Sequence, residues 1–593
     1  MGKTPQKAKV RFLICNDIGC RGTGSEALLQ EFERLKEDWF EVITTGCKGL
    51  CARGPVIEVL PGEIMYFKVQ AEDIPKLIAH TKEGTVLEPR LYRDREAKKS
   101  FSQTGEIPFY SRQTRLILGV NGQIDPLSLD EYKEFASGYR GLMRALSMEP
   151  NKIIEEIQAA GLRGRGGGGF STGKKWKSVS GEPEPVHYII CNGDEGDPGA
   201  FMDRSIMQGC PFMIIEGITI GAYAVGANRG FIYVRDEYPI AIDHLRQAIH
   251  TAKKQGLLGE NILQSGFDFD IEIKRGAGAF VCGESSALMR SIEGKIGEPN
   301  EKYIHASERG LWEKPTVLNN VETFATVPYI LREGVRKFRS MGTEESPGTK
   351  IFSLVGKIKN AGLIEVELGT SISTILYDIG GGIVRERPFK AIQTGGPSGG
   401  CIPAEYVDTP IDFDSLSELG SMMGSGGLII MDDHDCMVEI ARYYTNFLVE
   451  ESCGKCTPCR EGLLQIVEIL NRITSGQGQR EDLNTLEELG TYVAESSLCG
   501  LGKSAANPLL STLRYFREEY LDHIDNSHCT AGVCKQLTTF KIDQDKCTSC
   551  GLCVKVCPVD AIKVVGTQYT IEQDVCIRCG ECRTACRFEA IIW

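Results

Sequence analysis

The residues best suited to chemistry in this chain are cysteines, and their spacing says what that chemistry is. Cys547, Cys550, Cys553 and Cys557 read C-x2-C-x2-C-x3-C, and Cys576, Cys579, Cys582 and Cys586 repeat the pattern. Upstream, Cys453, Cys456 and Cys459 form C-x2-C-x2-C, with Cys499 forty residues on in SSLCGLG. Such runs converge on one centre, and soft thiolates select iron–sulfur clusters or zinc. Ordinary core packing does not call for three cysteines in one loop.

A second stretch points to a different ligand. In Gly161–Trp176, GLRGRGGGGFSTGKKW, six of the first nine residues are glycine. That composition gives up backbone entropy, so something needs this backbone close and at unusual dihedrals. Arg163, Arg165, Lys174 and Lys175 add cations; Phe170 and Trp176 add aromatic faces. Bare N–H groups beside cations suit a phosphate, and an aromatic at the edge suits a flat ring. A flexible linker is the alternative, but linkers pair glycine with serine and rarely carry this charge. The stretch is neither G-x-G-x-x-G after a strand nor G-x-x-x-x-G-K-[ST].

Positioning these groups takes several domains, since 593 residues exceed one hydrophobic core. A net charge of −13 argues against nucleic acid as the main partner. No signal peptide is expected from MGKTPQKAKVRFLIC. Phe212–Ala227, the most apolar run, is interrupted by Glu216 and falls short of a membrane span. A cytoplasmic protein is expected. There 23 cysteines would be metal ligands and not disulfides.

Along the chain, VRFLIC predicts a strand and Ser25–Lys36 a helix. Cys15-x4-Cys20 and Cys47-x3-Cys51 follow neighbouring strands and can converge on one metal. Their spacing resembles the thioredoxin-like [2Fe–2S] ferredoxins, in which all four would be ligands; zinc is the alternative. Residues from about Glu83 to Pro126 read as a polar linker. Leu127–Met148 and Asn151–Ala160 have helical periodicity leading into the glycine loop. The strand VHYIICN runs into GDEGDPGAFMDR, and carboxylates with glycines at a strand end mark an active-site rim in an α/β domain. Gly276–Gly294 opens with glycines and enters a helix, a second phosphate-friendly backbone.

Taken together, GLRGRGGGGFSTGKKW, CNGDEGDPG, FVCGESSALMRSIEG and KPTVLNNVET resemble the NADH-oxidising flavoprotein subunit of respiratory complex I and of soluble multi-subunit hydrogenases. The resemblance runs over about Gly161–Gly500. It implies a non-covalent FMN with NADH, or NADPH, stacked on it. By motif, Gly164, Gly166, Lys175, Asn192, Asp194, Gly283, Asn319 and Asn320 would line the FMN, with Arg165 in the same cradle. Phe170, Lys175, Asp197, Glu284 and Lys302 would face the nicotinamide nucleotide. The family usually has Glu where this chain has Asp197, and an apolar residue or proline near His305. No triad or general base is required. The carboxylates would fix ribose or flavin edges and not move protons.

The implied fold is multi-domain α/β. A thioredoxin-like [2Fe–2S] domain (1–90) and linker (91–126) precede an FMN/NAD(H) domain (127–340). A ubiquitin-like β-grasp module (341–437), in which no chemistry is evident, leads to a helical [4Fe–4S] domain (438–526). Residues 527–593 add a two-cluster ferredoxin: the fourth cysteine of each run ligates the other cluster. One cluster would take Cys547, Cys550, Cys553 and Cys586, the other Cys576, Cys579, Cys582 and Cys557. Cys557 is followed by the expected proline, but Cys586 by Arg587. The cofactors expected are one [2Fe–2S] and three [4Fe–4S] clusters, from sixteen cysteines.

This domain order looks like the flavin subunit of electron-bifurcating, NAD(P)-dependent [FeFe]-hydrogenases, whose close relatives serve formate dehydrogenases. A catalytic hydrogenase or formate dehydrogenase subunit, a small thioredoxin-like [2Fe–2S] subunit and ferredoxin are therefore expected partners. An electron-transfer scaffold with a vestigial flavin site is the rival, against which the intact glycine and asparagine motifs count. Of the seven remaining cysteines, Cys529 and Cys534 lie in His528-Cys529-x4-Cys534. With His528, and Cys436 as the fourth ligand, they suit a tetrahedral structural zinc.

Overall fold

A computed structural model describes residues 9–94, 98–300 and 305–593. They divide into two compact units: Met1–Glu386 with Ile392–Gly399 and Ala404–Ile430, and Arg387–Ala391 with Gly400–Pro403 and Met431–Trp593.

The first unit begins with a sheet whose strands are β1 (Val10–Cys15), β2 (Phe40–Thr45), β3 (Val56–Leu60) and β4 (Ile64–Phe67), in the order β2-β1-β3-β4. β1 and β2 run parallel, and β1 and β3 antiparallel. Phe12, Ile14, Leu28, Phe32, Ile57 and Ile74 pack into its core. Cys15 ends β1, while Cys47 and Cys51 lie in the loop after β2. That loop is wedged in place. Lys48 Nζ, buried with Glu58, donates to Glu58 and to the carbonyl of Gly122. A Cβ on Gly46 would sit 2.1 Å from Asn121 Oδ1, so this backbone is closely seated.

The stretch expected to be a linker is packed. Ile107, Phe109 and Leu118 are fully buried, and Glu365 accepts the N–H groups of Ile117 and Leu118. Its apolar residues have no helical or strand period, so sequence pattern does not announce the burial. The expected helix over Leu127–Met148 is two short ones, Leu129–Phe135 and Arg140–Leu146. Buried Glu216 holds the second in place by accepting from the N–H groups of Tyr139 and Leu142.

The central sheet is parallel throughout. It contains β5 (His187–Gly193), β6 (Ala227–Arg235), β7 (Asp270–Gly276) and β8 (Thr316–Asn320), in the order β8-β5-β6-β7. Helix α1 (Pro150–Ala160) leads to the glycine loop, and α2 (Thr172–Ser180) follows it. α3 (Met202–Gly209) and α4 (Pro211–Val225) lie between β5 and β6, and α5 (Val321–Glu333) follows β8. α4 is apolar because it is buried on nearly every side. No single helix among the described residues is long and apolar enough to cross a membrane. From β5 the chain passes to β6 on one side and returns to β8 on the other. The C-terminal ends of β5 and β8 therefore flank a topological switch point, where open α/β sheets place ligands.

After α5, β9 (Thr349–Gly356) pairs antiparallel with β10 (Gly362–Glu367) and parallel with β11 (Gly427–Asp432). A fully buried Lys350–Glu322 ion pair ties β9 to α5. In the second unit, long amphipathic helices Met437–Glu450, Thr457–Thr474 and Arg480–Ser496 are followed by Asn507–Tyr515 and Arg517–Asp525. The chain then forms small strand pairings and short helices around the last eight spaced cysteines; Lys541–Ile542 pairs with Ile591–Ile592, and Ile562–Val565 with Gln568–Ile571.

Candidate functional site

At the switch point, Asn192 on β5 stands opposite Asn320 on β8. The glycine loop is closed by the Gly164 N–H donating to the Phe170 carbonyl and by Arg163 Nε donating to the Gly169 carbonyl. A Cβ at Gly166 would lie 2.9 Å from the Asn320 Cβ. The loop therefore lies directly against the β8 end. Asn320 caps α5 through the Glu322 N–H and donates to Asp203; Asn319 accepts from the Trp176 indole. Asn192 donates to the Gly283 carbonyl and accepts from the Asp194 N–H. Gly164, Gly166, Asn192, Asp194, Gly283, Asn319 and Asn320 thus lie on neighbouring pieces of backbone at one edge of the sheet.

Charge around this edge is arranged for an anion. Lys175 on the first turns of α2 donates to the Leu318 carbonyl, and burial lowers its ammonium to about 8, with no acidic neighbour among the described residues offsetting it. A phosphate is the partner such a cation lacks. Arg165 is different. It is 1% exposed and spends its guanidinium on the carbonyls of Thr349, Pro347 and Arg163. It is a strut between the loop and β9 and does not point into the cradle, which corrects its place in the expected set. Sequence spacing puts Arg165 between glycines but does not show which way it turns.

Of the aromatic pair, Phe170 is 60% exposed and Trp176 fully buried. Only Phe170 offers a face to a ligand. Glu284 caps the helix Ser285–Ile292 through the N–H groups of Ser286 and Ala287. Asp197 is bonded to Ser425 and pushed up to about 6, chiefly by burial. Lys302 lies outside the described residues. Three buried carboxylates escaped the motif reading. Glu195 accepts the N–H groups of Asp203 and Arg204, Asp203 meets Asn320, and Glu322 pairs with Lys350. Burial raises both the Glu195 and the Asp203 carboxyl, that of Asp203 well above its ordinary value. Two of the three lie in the quoted GDEGDPGAFMDR, but nothing in it separates inward from outward carboxylates.

The segment just before β11 also meets the glycine loop. Asp414 meets Arg163, Phe413 lies under that guanidinium at 4.4 Å, and a Cβ on Gly167 would be 3.2 Å from Gly424. These residues pack against the glycine loop.

The cysteines group as follows. Cys15 is within bonding reach of Cys20 and Cys47, and Cys47 Sγ is 3.6 Å from Cys51 Sγ. Cys453, Cys456 and Cys499 all raise the thiol of Cys459, behind the larger effect of burial. In the last module one void is lined by Cys547, Cys550, Cys553 and Cys586, and another by Cys557, Cys576, Cys579 and Cys582.

A further set of four differs from expectation by one residue. Cys436, His523, Cys529 and Cys534 are all buried, with their ligand atoms within 4.8 Å of one another. His523 Nε2 lies 3.4 Å from Cys436 Sγ and 3.3 Å from Cys534 Sγ, while Nδ1 sits 2.7 Å from the Glu519 carbonyl. That carbonyl fixes the ring so that Nε2 faces the sulfurs. The Cys529 thiol is driven far down by Cys436 and Cys534, against burial. His528 is exposed and takes no part. Its adjacency to Cys529 in sequence is misleading, because consecutive side chains diverge. His523 reaches the site from one helical turn above the loop. Three sulfurs and one imidazole nitrogen fit tetrahedral zinc.

A glycine loop and lone lysine at the switch point of a parallel sheet, joined in one chain to thiolate clusters, define an iron–sulfur flavoprotein oxidoreductase. Residues 157–329 match the Nuo51 FMN-binding domain, and 439–523 the NADH-ubiquinone oxidoreductase-F iron–sulfur binding region. Residues 540–563 and 569–592 each match a 4Fe-4S binding domain. The chain is 51% identical over 451 residues to the NADP-reducing hydrogenase subunit HndC of Solidesulfovibrio fructosivorans, covering 76% of this chain and 92% of that one. It is 44% identical to the NADH-quinone oxidoreductase F 2 subunit of Rhizobium meliloti, covering 67% and 94%. A crystal structure of NAD+-reducing [NiFe]-hydrogenase in the H2-reduced state superposes with a TM-score of 0.63 at 27% identity, over 88% of this chain and 85% of that one. The chain belongs to the family of FMN- and [4Fe–4S]-containing oxidoreductase subunits that includes HndC and its NADH-quinone oxidoreductase counterparts.

Proposed function

We infer that this chain is the NAD(P)H-reactive subunit of an electron-bifurcating hydrogenase complex, exchanging hydride with NAD(H) and passing single electrons to ferredoxin and a catalytic partner. The observation that carries the reading is the cradle at the switch point, whose half-buried lysine meets no carboxylate among the described residues, in one chain with four spaced cysteine clusters. When bound, FMN supplies the exchange between electron pairs and single electrons. The protein's own residues do the rest. Backbone at Gly164 and Gly166 approaches the phosphate, Lys175 neutralises it, and Asn192 and Asp194 hold the polar edge of the ring. Phe170 gives the nicotinamide a face, and Asp197 and Glu284 meet the nucleotide's donors.

The N-terminal module is thioredoxin-like, and Cys15, Cys20, Cys47 and Cys51 hold a [2Fe–2S] cluster. Cys453, Cys456, Cys459 and Cys499 hold one [4Fe–4S] cluster, and the two cysteine-lined voids hold two more with crossed ligation. Zinc takes Cys436, His523, Cys529 and Cys534. The hydrogenase reading gains on the formate dehydrogenase one from the 51% identity to a hydrogenase subunit. One-electron centres outnumber the single two-electron site, which supports coupling to ferredoxin in a cytoplasmic complex.

The test is deletion of Lys541–Trp593 from the purified complex. NADH-dependent dye reduction should persist while ferredoxin-coupled turnover is lost. Ferredoxin coupling in the truncated complex would take the tail off the electron path.

A further inference from the structure

The sheet module that follows the flavin domain reaches further into the site than its sequence promises. Two of its glycine-rich turns, Gly395–Gly396 and Gly424–Gly426, meet face to face: a Cβ on Gly424 would lie 2.3 Å from the Gly395 Cα. Gly424 and Gly426 both have left-handed backbone, at φ +54° and +117°. Between them stands Ser425, and both its hydroxyl and its backbone N–H bond to the Asp197 carboxylate. On the other side, a Cβ on Gly396 would sit 2.8 Å from the Asp197 Cγ and 3.0 Å from Oδ2. Left-handed glycine at Gly396 (φ +60°) thus leaves room for this carboxylate, which a side chain there would crowd. Asp197 follows the β5 rim, within the segment that carries Asn192 and Asp194.

We propose that Ser425 is a positioning residue for the nucleotide pocket: together with the Gly396 wall it fixes the Asp197 carboxylate as an acceptor for the donors of bound NAD(H). This rests on the nucleotide-site reading given above. It assigns to the module a direct part in that site, beyond docking. An aspartate is one methylene shorter than glutamate, so it reaches a ligand only if its backbone and carboxylate are held in place. The Ser425 turn does that holding.

The electrostatics follow from the neighbours. Burial pushes the Asp197 carboxyl up, Ser425 pulls it down, Glu195 raises it and Arg235 lowers it, leaving it at about 6. Its folded value lies above the ordinary one, so the ionised acceptor is present above about pH 6 and is lost as pH falls through that value. Removing the Ser425 hydroxyl withdraws a donor from the charged form and moves this loss to higher pH.

The experiment uses the full chain loaded with flavin and clusters, with NAD+ binding followed by calorimetry from about pH 5.5 to 8. Ser425→Ala should weaken NAD+ about tenfold at neutral pH and shift the acid limb upward, with flavin content and cluster absorbance unchanged. Ser425→Thr should restore both affinity and limb. Gly396→Ala, which keeps the hydroxyl but crowds the carboxylate, should weaken binding as well. Asp197→Asn should flatten the acid limb. If Asp197→Asn weakens NAD+ but Ser425→Ala and Gly396→Ala bind as wild type, the positioning role is wrong and the nucleotide site stands. If neither wild type nor Asp197→Asn shows saturable NAD+ binding, the nucleotide site falls, and this proposal with it.

Discussion

Replacing His523 by alanine separates the four-residue site that the structure assembles, proposed above to hold zinc, from the one that sequence adjacency suggests. The four ligand atoms lie within 4.8 Å of one another and every ligand residue is buried. A structural zinc site is worth about 10–16 kcal/mol, so one ligand of four accounts for roughly 2.5–4 kcal/mol, about 60- to 700-fold in affinity. Mild chelation that leaves the wild-type metal in place should strip His523→Ala. The assay is elemental analysis after dialysis against chelator: about one zinc per chain in the wild type and in His528→Ala, and little in His523→Ala or Cys534→Ser. Loss of zinc also removes the link between the helix Arg517–Asp525 and the Cys529–Cys534 loop, so limited proteolysis should cut near residue 530 first. Arg583 Nη1 donates to the Ala531 carbonyl and the Trp593 indole to that of Cys529, so the ferredoxin module leans on this loop and should loosen with it. Full zinc in His523→Ala, or zinc lost from His528→Ala, would refute the assignment.

Two further outcomes concern the flavin cradle. Gly166→Leu should abolish FMN binding while cluster absorbance persists, because even a Cβ there meets Asn320 at 2.9 Å; full flavin content in this variant would falsify the cradle. Lys175 is lowered to about 8 by burial, so its positive charge is present below that pH and lost above it. FMN affinity of the flavin-free protein should fall as pH rises through about 8, a dependence that Lys175→Gln should erase in fluorescence titrations.

Sequence by itself determined the elements whose chemistry depends on spacing. Cysteine runs at C-x2-C-x2-C, the glycine-rich loop and the strand ending in GDEGDPG are local patterns, and local patterns are read without knowing the fold. The parallel order of β5, β6, β7 and β8 puts those motifs where an α/β reading expects them. Tertiary structure alone decided direction and partnership. Arg165 and Lys175 stand in the same basic stretch, yet Arg165 spends its guanidinium on three backbone carbonyls while Lys175 holds the single carbonyl of Leu318. His528 neighbours Cys529 in the chain and is exposed, while His523, six residues away, faces the sulfurs because a helix carries it back over the loop. Ser425 and Asp197 are separated by 228 positions, yet the Ser425 hydroxyl and backbone N–H both bond to the Asp197 carboxylate. No local pattern encodes such a pairing, since it depends on which turns of two sheets are brought within reach, and only the folded chain settles that.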